Sequence, residues 1–287
     1  MYATLISASD LHRLLTQPRR DDVVVLDCGF DLTDAQAGRR HHDAGHIPSA
    51  AYVHLDDTLS GVKSGANGRH PLPDRAGFAR SMAVLGVGRQ TQVVAYDNAG
   101  GMFAARLWWL LRWIGHEAVA VLDGGQGAWT TAGYPLTSDP ALQRPAGDLP
   151  VRDSLQRTLD YAQLRQALET GDCLVLDARS PDRYRGENET LDRMGGHIPG
   201  ARNRFFRDNL GPDGRFLAPA RLREAFASHL NGRAPADVVN QCGSGVTACH
   251  NLLAMEVAGL KEAALYPGSW SEWSAQPGAP VATGPNA

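Results

Sequence analysis

The feature that most constrains this chain is an internal duplication. Asp21-Asp22-Val23-Val24-Val25-Leu26-Asp27-Cys28 returns as Gly171-Asp172-Cys173-Leu174-Val175-Leu176-Asp177-Ala178, and Gly45-His46-Ile47-Pro48 returns as Gly196-His197-Ile198-Pro199. Val93-Val94-Ala95-Tyr96-Asp97 pairs with Val238-Val239-Asn240-Gln241-Cys242, and Val121-Leu122-Asp123-Gly124 with Trp129 pairs with Leu265-Tyr266-Pro267-Gly268 with Trp273. Self-similarity at one long offset means that one folding unit was copied. Each copy alternates short apolar runs ending in a polar residue with longer helical patterns. Such runs read as strands buried on both faces, so the order implies an α/β fold with a mostly parallel sheet flanked by helices in each copy.

Helices are expected over Ser9–Gln17, Arg75–Leu85 and Met102–Trp113 in the first copy. In the second they are expected over Leu159–Glu169, Pro219–Leu230 and Val246–Ala258. The expected domains are residues 1–140 and 155–287. The Pro-, Asp- and Gln-rich stretch from Thr137 to about Arg157 reads as a linker, and Ala275–Ala287 as a loose tail. At 287 residues and 43% hydrophobic, each copy can bury its own core. A formal charge of -3 gives no case for nucleic acid or an anionic membrane as partner. No apolar run is long enough to span a bilayer and no signal-peptide pattern opens the chain. With four cysteines, two of them in strand-like runs, a reducing compartment is expected, and a cytoplasmic enzyme with small-molecule or protein partners follows.

The two copies control for each other, and they differ most after the third long strand. There the second copy reads Gln241-Cys242-Gly243-Ser244-Gly245-Val246-Thr247 before a helix, whereas the first has Tyr96-Asp97-Asn98-Ala99-Gly100-Gly101. Unpaired N–H groups and the helix dipole at such a spot stabilise a thiolate, and glycines let the loop curl its N–H groups inward as an anion nest. Thr247 is placed to cap the helix or donate to the sulfur. A buried, inert Cys242 is the bland alternative. A cysteine phosphatase would need an arginine where Ala248 stands; a serine hydrolase elbow would need G-x-S-x-G around Ser244. Cys249 and His250 are too far along a helix for a metal set with Cys242. Sulfur-atom chemistry fits best, confined to the second copy because Asp97 is no sulfur nucleophile. His46 and His197 recur in both copies and are expected to be structural, as are Asp27 and Asp177.

Cys242-Gly243-Ser244-Gly245-Val246-Thr247-Ala248 resembles the active-site loop of the 3-mercaptopyruvate sulfurtransferases of the rhodanese superfamily, and the likeness extends over nearly the whole chain. It implies tandem rhodanese-like domains, the second catalytic, with Cys242 carrying a persulfide and Gly243, Gly245, Val246 and Thr247 cradling the donor. It also implies two arginines that bind the donor's carboxylate and keto oxygens, by motif position Arg183 and Arg193. Their separation is one residue longer than the family's, and Arg185 is the spare. A solvated basic loop is the alternative for this cluster. Arg69-His70-Pro71-Leu72-Pro73 resembles the family's segment bearing a histidine proposed to act with an aspartate and the loop serine, here His70, Asp56 and Ser244. Rhodaneses preferring thiosulfate resemble one another in carrying cations just after the cysteine; Gly243 and Ser244 are neutral, which favours 3-mercaptopyruvate. The expectation is thus sulfur transfer from 3-mercaptopyruvate to a thiol such as thioredoxin, or to cyanide, with no metal or organic cofactor. The alternatives are a thiosulfate sulfurtransferase and a non-enzymatic persulfide carrier or redox-sensing module. Cys249 is expected to pack rather than to regulate.

Overall fold

The computed structural model describes residues 1–17 and 22–285. Asp21, at the start of the first repeated strand motif, and Asn286 and Ala287, at the end of the expected tail, lie outside them. Two compact units form. One comprises Met1–Gly61, Pro73–Leu155 and Pro212–Arg215; the other comprises Val62–Leu72, Gln156–Gly211 and Phe216–Ala287.

The first unit runs β1 (Leu5–Ile6), α1 (Ala8–Thr16), β2 (Val23–Asp27), α2 (Ala37–Ala44), β3 (Ala51–Tyr52), α3 (Arg75–Val84), β4 (Gln92–Tyr96), α4 (Met102–Trp113), β5 (Val119–Leu122) and α5 (Gly125–Thr131). The second repeats this as β6 (Arg157–Thr158), α6 (Tyr161–Thr170), β7 (Leu174–Asp177), α7 (Pro181–Arg185), β8 (Arg202–Asn203), α8 (Pro219–Leu230), β9 (Val238–Gln241), α9 (Thr247–Val257), β10 (Ala264–Leu265) and α10 (Ser269–Trp273). The sheet orders are β1-β5-β4-β2-β3 and β6-β10-β9-β7-β8, and the strand pairs in both are parallel. The α/β expectation is therefore met in each copy.

The copied strands sit at equivalent places. Val23–Asp27 and Gln92–Tyr96 are buried throughout, as are Leu174–Asp177 and Val238–Gln241, which is why they read as unbroken apolar runs. Helix starts follow local chemistry. Ser7 Oγ accepts the Asp10 N–H at 3.1 Å ahead of α1, and Asp160 and Gln163 form a capping box that opens α6 at Tyr161, two residues later than expected. The short α2, α5, α7 and α10, of eight residues or fewer, went unread because they are too brief for helical periodicity to show.

The segment expected to be a loose tail is tied down. His197 and Ala282 exchange backbone hydrogen bonds at 2.8 and 3.0 Å, Gly284 N–H donates to Arg185 O, and Ala279 and Val281 pack against the core around Trp270 and Trp273. The expected linker also has partners: Arg152 and Leu155 donate to the carbonyls of Ile114 and Arg112 within the first unit.

In the second sheet the chain leaves β7 for β8 on one side, then returns past it to β9 and continues to β10 on the other. The crevice at the carboxyl ends of β7 and β9 is thus a topological switch point, where open α/β sheets bind ligands. Cys242 is the first residue after β9.

Candidate active site

The Cys242 loop is held from below by α10. The Cys242 N–H donates to Ser269 Oγ at 3.1 Å, while Trp270 and Ser271 N–H groups donate to the carbonyls of Cys242 and Gly243, both at 2.9 Å. With its carbonyls occupied, the loop turns N–H groups toward the sulfur. Gly245 N–H reaches Cys242 Sγ at 3.1 Å and Ser244 N–H at 3.5 Å. Gly245 has φ +79°, and a β-carbon there would stand 2.5 Å from Pro267 O, so only glycine fits. α9 then begins at Thr247 with Val246 as its N-cap and no side-chain cap, so the expected Thr247 cap is not formed. Cys249 Sγ is buried and donates to Gly245 O at 3.2 Å, a packing role.

Cys242 is 2% exposed. Burial pushes the thiols of Cys28 and Cys173 above their ordinary value, which keeps them protonated and inert.

Ser244 Oγ and His70 Nδ1 lie 2.7 Å apart, both groups buried. His70 reaches this loop because Val62–Leu72 belongs to the second unit. Asp56 belongs to the first unit, where its backbone N–H meets His54 Nδ1 at 3.2 Å.

Two guanidiniums stand over Gly243. A β-carbon there would lie 2.8 Å from Arg69 Nη2 and 3.3 and 3.4 Å from Arg183 Nη2 and Nη1. Arg183 pairs with Glu189 at 2.9 Å and with Asp192 at 3.3 Å; Arg69 pairs with Asp192 and donates to Leu191 O. Behind them Arg179 pairs with Asp177 at 2.6 Å and Glu189 at 3.4 Å and lies over the Trp270 ring. Burial pushes the Asp192 carboxyl up, while Arg69 and Arg183 pull against it. For Glu189 burial also pushes up, but the Leu191 N–H and Arg183 win and its carboxyl falls below the usual value.

Of the sequence-predicted residues, the structure brings Cys242, Gly243, Ser244, Gly245, His70 and Arg183 together. Arg193 is exposed and makes no ion pair among the described residues; Asp192, one residue earlier, points into the cluster instead. Arg185 is paired with Glu187. The structure also brings Arg69 to this loop; it was not singled out from the sequence, although it precedes His70 in the segment that was. Loop neutrality is also only half the picture, because Arg69 and Arg183 supply from outside the cations that Gly243 and Ser244 lack. His197 and His46 are structural: each is buried, bonded through Nδ1 to a nearby carbonyl, Tyr184 O at 2.9 Å and His42 O at 2.8 Å, and stacked on a ring.

A cysteine in an N–H nest at a strand-to-helix turn, duplicated without the sulfur, matches a known domain twice over: residues 7–132 and 160–276 each match the rhodanese-like domain. The chain belongs to the rhodanese family. It is 46% identical over 284 residues to a probable 3-mercaptopyruvate sulfurtransferase of Pseudomonas aeruginosa, spanning 98% of this chain and 99% of that protein. It is 36% identical to a putative thiosulfate sulfurtransferase, SseB, of Mycobacterium tuberculosis, spanning 98% and 97%. Among solved structures it is similar to the 3-mercaptopyruvate sulfurtransferase from Leishmania major, with a TM-score of 0.82 and 30% identity, covering 94% of this chain and 74% of that one. Among the described residues of this rhodanese no cluster of three or more His, Cys, Asp or Glu is arranged to hold a metal, and no helix is long and apolar enough to cross a membrane.

Proposed function

We propose that this protein is a sulfurtransferase that takes a sulfur atom from 3-mercaptopyruvate onto Cys242 and passes it to a thiol. The observation that carries this reading is the Cys242 sulfur in its N–H nest, with two guanidiniums over the adjoining Gly243. The Cys242 thiolate attacks the donor sulfur, the C–S bond breaks, and its electron pair leaves on carbon as the enolate of pyruvate. Protonation of that carbon by the proton the donor thiol brought gives pyruvate and an anionic persulfide on Cys242, which the loop N–H groups hold. The Ser244–His70 hydrogen bond supports that pair as the carrier of that proton; Asp56 as a third member rests on the family resemblance. Gly243, Gly245, Val246 and Thr247 form the cradle, and Arg183 binds the carboxylate by its planar fork. Arg193 as its companion rests on resemblance alone. A thiol, reduced thioredoxin or a small thiol in a cytoplasmic setting, or cyanide in vitro, then removes the outer sulfur, and ping-pong kinetics result.

Thiosulfate is the second donor, a reading supported by the 36% identity to a putative thiosulfate sulfurtransferase. Steady-state transfer to cyanide with the two donors side by side tests both readings. The expected result is kcat/KM at least tenfold higher with 3-mercaptopyruvate, roughly 1.4 kcal/mol of transition-state discrimination, and no turnover by Cys242→Ser. A preference for thiosulfate would make the second reading the function. One-time labelling without turnover of either would make the protein a persulfide carrier.

A further inference from the structure

The rhodanese loop has space over Gly243, and two arginine heads fill it. Arg69 commits only Nη1 to protein partners, the Leu191 carbonyl and Asp192. Arg183 commits Nε and Nη2, to Glu189 and Asp192. Arg69 Nη2 and Arg183 Nη1 make no hydrogen bond among the described residues, and both lie within 3.4 Å of where a Gly243 β-carbon would be. Their side chains keep 28% and 20% exposure, whereas Asp192 keeps 3%. Two unsatisfied guanidinium nitrogens thus converge beside the nucleophile's loop, where a ligand can reach them, with a buried carboxylate gripping both heads from behind. The Arg69 backbone is fixed as well, its N–H donating to Ser271 Oγ at 3.0 Å on the α10 that also pins the Cys242 loop.

We propose that Arg69 is a substrate-binding residue of this reaction: with Arg183 it forms a two-armed oxyanion fork for the carboxylate of the sulfur donor, and Asp192 is the internal anion that holds the arms side by side. Arg69 takes the place that motif position assigns to Arg193. Gly243 is part of the device, because any side chain there would meet the arginine heads; the loop is neutral so that the cations can come from outside it. Charge in the cluster is balanced without a ligand, Arg69, Arg179 and Arg183 against Asp177, Glu189 and Asp192. A monoanionic carboxylate therefore adds one charge to a neutral site, and a dianion adds two.

This inference rests on the sulfurtransferase reading, and its test separates the two. Kinetics at saturating cyanide are compared for wild type, Arg69→Gln, Arg69→Lys and Gly243→Ala. Arg69→Gln is expected to raise KM for 3-mercaptopyruvate about tenfold or more with kcat within about threefold, the signature of lost uniform binding. Arg69→Lys, which keeps a point charge, recovers part of that loss. Gly243→Ala, which pushes the flexible heads aside, raises KM in the same way. An unchanged KM in Arg69→Gln overturns the proposal, and so does a parallel fall in kcat with lowered Tm that Arg69→Lys does not repair, because that is a tether for the Val62–Leu72 segment. If wild type turns over neither donor, the functional reading fails, and calorimetric titration of pyruvate into Cys242→Ser still decides Arg69. Affinity lost on adding Arg69→Gln supports the fork; unaltered affinity overturns it.

Discussion

The loops after β4 and after β9 turn on an equivalent left-handed glycine and hold different groups. In the first, the Asp97 carboxylate, 1% exposed, fills the nest: Oδ1 accepts the N–H groups of Ala99 and Gly101 at 2.7 and 2.8 Å, and Oδ2 those of Phe103 and Ala104 at 2.8 and 2.9 Å. In the second, Cys242 sulfur takes the same place with the N–H groups of Ser244 and Gly245. Gly100 and Gly245 share a left-handed φ, +77° and +79°. The nest is therefore built into the fold, filled by a carboxylate in one copy and by a sulfur in the other. Ala99 stands where the second copy has Ser244, and Asn98 where it has Gly243, so the first copy lacks the hydroxyl that meets His70 and the bare glycine beneath Arg69 and Arg183 as well as the sulfur.

The largest test of this contrast moves the thiol. Asp97→Cys combined with Cys242→Ser should stay at least about a thousandfold below wild type in sulfur transfer, since the fork and the hydroxyl are absent from the first copy. Recovery of turnover would mean that the nest alone suffices. Next, Asp97→Ala orphans four buried N–H groups. At about 1–3 kcal/mol each before relaxation and water entry, a net loss of about 3 kcal/mol in denaturant unfolding is expected, against little change if the carboxylate were dispensable. Burial pushes the Asp97 carboxyl up while those N–H groups pull it down. Because its folded value is raised, Asp97 itself contributes stability fully only below its unfolded value, and that contribution is lost as pH rises through the folded value.

Ser244→Ala converts the second loop toward the first at one atom and should lower kcat about a hundredfold with the protein still folded, as expected for a lost proton carrier. A fall in kcat/KM without one in kcat would reduce Ser244 to a hydrogen bond. The smallest effect is at Gly245→Ala, where positive φ and the Pro267 carbonyl cost about 1–2 kcal/mol of stability. An unchanged Tm would show that the loop relaxes freely.

The fold was legible because strands buried on both faces leave apolar runs, and a duplicated run is hard to produce otherwise; α4 and α8 run over Met102–Trp113 and Pro219–Leu230 as read. Cys242 was legible because a cysteine between a strand and a glycine-rich turn has few other uses. The place of Arg69 was not, because it depends on Val62–Leu72 joining a unit whose other residues begin only at Gln156. Which of Asp192 and Arg193 turns inward was not legible either, because motif position counts residues whereas the folded loop decides by geometry, and here it turns Asp192 toward Arg69 and Arg183. That Asp97 occupies the cysteine's position could be read, but the four N–H groups that make it a substitute anion belong to the folded turn.

The most direct test is mass spectrometry of wild-type protein exposed to 3-mercaptopyruvate without an acceptor. The mass of one added sulfur atom on the peptide bearing Cys242, with one equivalent of pyruvate released and both lost in Cys242→Ser, is the predicted result. No added sulfur, or sulfur on Cys28, Cys173 or Cys249 instead, would contradict it.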